Sequence, residues 1–114
     1  PRDINDFGTF TPVGISVNSE LVHDFRLSQN YPNPFNPETK INFTIPVEAF
    51  VSLKVYDLLG REMETLMNQP ATIGSYTATF NGSKFASGVY FYRLVVKGFD
   101  GQEFISSKRM VLVK

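Results

Sequence analysis

Val89–Lys97 reads VYFYRLVVK, and its reading decides the fold class. Tyr90, Tyr92, Leu94 and Val96 share one face and alternate with Phe91, Arg93, Val95 and Lys97. A repeat of two is the signature of a strand with one face buried. Gly88 opens the strand, and Asp100-Gly101 beyond it is a hairpin-type turn. Phe104–Val113 then closes the chain, with Met110 and Leu112 facing one way and Val111 and Val113 the other. Upstream the period persists. Ile41, Phe43 and Ile45 alternate with Lys40, Asn42 and Thr44 until Pro46 stops the strand. Val51, Leu53 and Val55 alternate with Ser52, Lys54 and Tyr56, followed by the turn Asp57-Leu58-Leu59-Gly60. Residues 61–68 form a weaker strand in which Met63 and Leu66 break the alternation, which predicts a bulge. Ile73-Gly74 leads into Tyr76, Ala78 and Phe80, and Asn81-Gly82 is a turn. Turn signals recur every 8–15 residues or so, and no stretch keeps a helical period, which predicts an antiparallel β-sandwich.

Ahead of these strands, Tyr31–Pro37 reads YPNPFNP. Proline fixes φ and lacks an N–H, so the segment is neither helix nor central strand. Each residue before a proline is pushed toward extended geometry. The segment Tyr31, Pro32, Asn33, Pro34, Phe35, Asn36, Pro37 is therefore expected to be a stiff, extended structural lead-in that holds the domain away from what precedes it. Residues 1–24 read as a linker or tail, with one edge strand suggested by Val13, Ile15 and Val17. Residues 25–114 read as a single domain, with Phe25, Leu27 and Tyr31 as its anchors.

Composition narrows the function. Formal net charge is zero, so bulk electrostatics favour neither nucleic acid nor an anionic membrane. The first 24 residues are mildly acidic and the last 31 mildly basic. There is no cysteine, which excludes disulfides, thiolate metal sites and a cysteine nucleophile. No apolar run approaches the roughly 20 residues of a membrane-spanning helix. With Pro1 first and no basic stretch leading into an apolar one, the chain reads as a piece of a longer polypeptide.

Catalytic constellations do not assemble. His23 is the sole histidine and has no partners for a triad. Asp3–Gly8 lacks the ligand spacing of a calcium loop. Glu62 and Glu64 share a strand face but have no pocket implied around them, and solvated carboxylates are commoner than a glycosidase pair. The expectation is therefore no enzyme and no cofactor or metal. Tyr31, Phe35, Tyr56, Tyr76, Tyr90, Phe91 and Tyr92 leave a second reading open: an accessory carbohydrate-binding or spacer module of an extracellular hydrolase. Against it, the chain has no tryptophan, and alternating aromatics are what a sandwich core requires. Tyr90 is also placed to bond a nearby backbone carbonyl, as in a tyrosine corner.

Phe25–Asn30 (FRLSQN), then YPNPFNP and TKINFTIP, then Val51–Glu62 (VSLKVYDLLGRE), Ala86–Leu94 (ASGVYFYRL) and Lys108–Lys114 (KRMVLVK) together resemble the type IX secretion C-terminal sorting domain. VYDLLGRE and SGVYFYRL are similar as well to the immunoglobulin-like domain of flagellar hook-capping proteins. The resemblance implies an immunoglobulin-like sandwich of about seven strands. It implies a signal domain fused after a passenger, carried through the periplasm and read by an outer-membrane translocon. Delivery to the cell surface or exterior would follow, with a sortase-like surface peptidase as a further partner. Gly88, Tyr90, Lys108, Arg109 and Lys114 are the recognition candidates. Many relatives carry lysine where this chain has Arg109, and the two cations recognise partners differently.

Overall fold

The computed structural model describes residues 15–18 and 24–114. His23, Asp3–Gly8 and Val13 lie outside the described residues. Eight strands occur among those described: β1 (Ile15–Asn18), β2 (Arg26–Leu27), β3 (Glu38–Ile45), β4 (Ala49–Tyr56), β5 (Glu62–Ala71), β6 (Gly74–Asn81), β7 (Gly88–Gly98) and β8 (Glu103–Leu112). They form two antiparallel sheets, ordered β1-β6-β3-β2 and β5-β4-β7-β8. The alternation read from sequence is the burial pattern observed: on β3 and β4 every second side chain is buried. Ile41, Phe43, Ile45, Tyr76, Ala78 and Phe80 of the first sheet face Val51, Leu53, Val55, Tyr92, Leu94 and Val96 of the second. The broken alternation of residues 61–68 corresponds to register shifts between β4 and β5, at Leu53/Lys54 and Val55/Tyr56.

The strand order is immunoglobulin-like. β2, β3 and β6 hold the A, B and E places, while β4, β7 and β8 hold C, F and G. The strand between C and E differs in its pairing. β5 stays beside β4, and the place next to β6 is taken by β1, the most N-terminal strand described. The tail strand expected from the alternation of Val13, Ile15 and Val17 thus pairs with this sandwich itself.

The proline segment departs from expectation. It is a run of bends, not an extended spacer, and its Phe35 ring is only 1% exposed. The reason lies in which residues keep an N–H. Tyr31 exchanges both backbone hydrogen bonds with Lys40 on the first sheet, at 2.9 Å each. Four residues later Phe35 pairs in parallel with the end of β8 on the second sheet. Prolines flank these positions and cannot continue either ladder, so the chain must cross from one sheet to the other. The crossing is locked by side chains. Buried Asn30 donates to Thr39 Oγ1 at 2.9 Å and to the Pro32 carbonyl at 3.1 Å, and the Thr39 hydroxyl donates to that carbonyl at 2.8 Å. Tyr31 anchors through its backbone alone, since its side chain is 79% exposed. Phe25 stacks on Phe104 at 5.2 Å, joining the start of the domain to β8.

Tyr92 ties the core to this lead-in by donating to the Ser28 carbonyl at 2.7 Å. Burial pushes its phenol up from 10.0 to about 12, against a smaller opposing backbone hydrogen bond. The folded state therefore holds the phenolic proton more tightly than the unfolded state does. That contribution is complete below pH 10.0 and is lost as pH rises through about 12. Denaturant melts across this range should show stability falling with pH. Tyr92→Phe should flatten the decline while costing about 1 kcal/mol at neutral pH from the stranded Ser28 carbonyl.

Candidate functional site

β8 lies at the edge of its sheet, and its C-terminal half is where the sequence-predicted residues gather. Because β7 and β8 are antiparallel, Gly88 pairs with Leu112, Val89 with Val111 and Tyr90 with Met110. The start of the GVY stretch is thereby set beside the end of the chain. The Tyr90 hydroxyl donates to the Ala86 carbonyl at 2.6 Å, a tyrosine-corner contact that shapes the loop leading into β7. Gly88 has a φ of 156° with open space where a Cβ would sit.

Lys114 closes onto the same loop. Its Nζ donates to the carbonyls of Ser83 at 2.8 Å and Phe85 at 2.9 Å, and its backbone N–H donates to Ser87 Oγ at 3.0 Å. The terminal cation is therefore held against the loop by carbonyl dipoles. Beneath it, Phe85 stacks on Phe80 at 5.8 Å and packs against Tyr90 at 6.2 Å. Lys108 and Arg109 part company, because adjacent strand residues face opposite sides. Lys108 pairs across from Tyr92 and is half-buried on the inner side, whereas Arg109 is exposed and pairs across from Phe91.

The outer edge of β8 is covered over this half. Phe35 N–H donates to the Val111 carbonyl and Val113 N–H donates to the Phe35 carbonyl, both at 2.9 Å. The Val111 N–H goes to Asn33 Oδ1 at 3.0 Å, and Gln29 Nε2 reaches the Arg109 carbonyl at 2.7 Å. Glu103, Ile105 and Ser107 lie on the other half, beyond the reach of the proline segment. The structure thus brings Gly88, Tyr90, Lys114 and the proline segment into one corner. Arg109 stands on the adjoining outer face and Lys108 on the inner one.

Three contributors escaped sequence reasoning. Gly82 read only as a turn residue. A Cβ there would stand 2.9 Å from Leu112 Cδ2 and 3.4 Å from Phe35 Cε2, so the glycine is required by close approach of β8 and the proline segment. Asn30 and Ser87 entered only as parts of the stretches FRLSQN and ASGVYFYRL and gave no sign of their bonding, since each acts through partners distant in sequence or set by the turn geometry. Among the described residues no group of His, Cys, Asp or Glu is arranged to hold a metal ion.

Residues 29–109 match the family described as the secretion system C-terminal sorting domain. No curated protein matches the sequence. Among solved structures, CopC from Methylosinus trichosporium OB3b is similar with a TM-score of 0.51 and 16% identity, over 78% of this chain and 93% of that one. At that identity the likeness concerns the fold alone. PorZ, a surface component of the type IX secretion system of Porphyromonas gingivalis, aligns with a TM-score of 0.41 and 20% identity. That alignment spans 79% of this chain and 11% of PorZ.

The corner should behave as one packed unit. Phe35→Ala is expected to destabilise the domain by about 3–5 kcal/mol. Gly82→Ala should cost about 1–3 kcal/mol, because the buried Leu112 must shift. Chemical denaturation of each variant, and of the double variant, checks both. The double variant should cost less than the sum, since both changes loosen the same contact.

Proposed function

The chain belongs to the secretion system C-terminal sorting domain family, the sorting signals of type IX secretion, and from that premise we propose how its C-terminal corner serves the export of a passenger. A domain of this kind is a non-catalytic signal for a larger polypeptide that is exported to the cell surface or exterior. The single observation that carries the reading is the family match across residues 29–109. In the division we favour, residues 1–24 link the passenger to the domain and lend it the edge strand β1, and residues 25–114 form the signal.

The recognition surface is the corner that presents Gly88 and Lys114 and that buried Tyr90 shapes from within, together with Arg109 on the outer face and Lys108 at its inner margin. An outer-membrane translocon encounters it in the periplasm. Cations at the surface steer the encounter, and a folded corner gives it a fixed shape. Such a signal cannot be a free tail. Met110 and Leu112 belong to the core, so a receptor that reads the terminal strand reads only folded domains. A sortase-like surface peptidase would cut within residues 1–30, outside the paired strands β1 and β2, since linker backbone is where proteases act.

Two sets of variants separate the signal from its parts. A reporter fused ahead of the chain, expressed in a bacterium with a type IX system, should appear at the surface or in the medium. Removing residues 25–114 should leave it in the periplasm, and normal delivery without them would end the sorting reading. Truncating Met110–Lys114 is not the sharper test, because it removes core residues. Arg109→Glu combined with Lys114→Gln keeps Met110 and Leu112 in place and should reduce delivery severalfold, with Arg109→Lys retaining it. Undiminished delivery by the doubly substituted, folded domain would remove the terminal cations from the recognition surface.

A further inference from the structure

The turn Asp57-Leu58-Leu59-Gly60-Arg61 is built more firmly than a connection between two strands needs. Asp57 Oδ1 accepts the N–H groups of Leu59 and Arg61, both at 2.9 Å, and Oδ2 accepts Arg61 Nε at 2.7 Å. The Asp57 N–H donates to the Arg61 carbonyl at 2.9 Å and the Gly60 N–H to the Asp57 carbonyl at 3.0 Å. Gly60 supplies the φ of 85° that closes the turn. The Arg61 N–H first, then the Arg61 guanidinium and the Leu59 N–H, hold the Asp57 carboxyl below the usual carboxylate range against the cost of burial. What this frame presents is two adjacent leucines, Leu58 and Leu59, 67% and 80% exposed.

Beside the turn, the outer face of the second sheet carries an open depression of about 250 Å³, lined in part by Tyr56, Leu58, Phe91, Arg93 and Ser107. Arg93 is one of the residues that line it. Its guanidinium lies 5.7 Å from the Tyr56 ring centroid, and its Nε donates to Ser107 Oγ at 3.2 Å. Those two contacts orient the planar group, and its terminal nitrogens make no hydrogen bond or ion pair among the described residues. A guanidinium fixed by a ring and one Nε contact, with its remaining donors free, suits bidentate recognition of a carboxylate. The acidic groups nearby do not compete. Asp57 also borders the depression, but both its oxygens are spent within the turn, and Glu62 is paired with Lys54 at 3.3 Å. Arg109, paired across from Phe91, adds a second cation on the same face.

We propose that this face is a docking site for an internal segment of a partner protein, in which a glutamate or aspartate side chain meets Arg93 between apolar neighbours. Charge complementarity sets the acidic centre. The apolar flanks follow from Leu58 and Leu59 on one side of Arg93 and exposed Ile105 on the other, one outward position along β8 from Ser107. Apolar contact on both sides suits a segment that passes across Arg93, not one that ends there. The site adjoins the recognition surface at Arg109 but lies apart from the corner formed by Lys114 and the proline segment, and its occupancy does not depend on the sorting role.

The test is an amide NMR titration of the full 114-residue chain. The probe is the blocked peptide acetyl-Ser-Leu-Glu-Leu-Ser-amide. Shifts should concentrate at Tyr56–Arg61, Phe91, Arg93 and Ser107, and glutamine in place of glutamate should weaken binding about tenfold or more. Arg93→Gln should abolish the preference for glutamate while leaving the spectrum beyond this face unchanged. A double variant, Leu58→Ser with Leu59→Ser, should weaken both peptides alike. The proposal is overturned by equal response to the two peptides, by a glutamate preference that survives in Arg93→Gln, or by no response at this face. It is overturned equally if a glutamine peptide with a free C-terminal carboxylate binds as well as the glutamate peptide, or if the same amides shift on self-association alone.

Discussion

The parallel pairing of Phe35 with the end of β8 is the constraint on which the rest of this domain depends. Two hydrogen bonds at 2.9 Å satisfy the Val111 carbonyl and the Val113 N–H, which would otherwise stand at an open sheet edge. The same residue inserts its ring between the sheets, edge-on to Phe80 at 5.9 Å and against Leu112 across Gly82. Full burial of such a side chain is worth about 1.5–3 kcal/mol. The larger consequence is topological: one residue closes the seam between two sheets that share no continuous ladder. Prolines on either side keep the segment from adding further backbone pairs, so its backbone meets β8 at Phe35 alone and the Asn33 and Gln29 side chains complete the cover.

Terminal strand and recognition corner are thereby the same object. Lys114, the loop Ser83–Ser87 and Tyr90 are connected by hydrogen bonds to backbone carbonyls, and Met110 and Leu112 anchor the strand in the core. A receptor of such a surface selects folded domains by construction, because the strand has no defined shape apart from the sandwich. Arg109 is the exposed group of the Lys108–Arg109 pair, while Lys108 sits half-buried on the opposite side. Two neighbouring charges in sequence are thus two separate features in space.

The sandwich also carries a second worked surface. Asp57 draws its turn together through five hydrogen bonds, and the outcome is a pair of leucines held in water beside an oriented guanidinium. Exposed single leucines are ordinary on protein surfaces. Two on a rigid turn, next to a cation with free donors, form a patch of defined shape and sign.

Much of the fold was legible in the chain. Strict alternation in Glu38–Ile45, Ala49–Tyr56, Gly74–Asn81 and Gly88–Gly98 states which side chains are buried, because a strand has only two faces. The bulge near residues 61–68 and the core role of most aromatics follow from the same pattern. The behaviour of YPNPFNP did not, since φ preferences and missing donors say where a ladder must stop but not which sheet the next free N–H will find. Gly82, Asn30 and Ser87 were silent for a related reason: a close approach or a buried hydrogen bond is a property of two segments, and periodicity describes one. Nor could the sequence announce that β1 would take the place beside β6 while β5 stayed with β4. The sequence by itself determined the strands, their inward faces and the family likeness. Only the tertiary structure decided the sheet order, the seam at Phe35 and the hold of Lys114 on the Ser83–Ser87 loop, because pairing between distant segments depends on which edges meet.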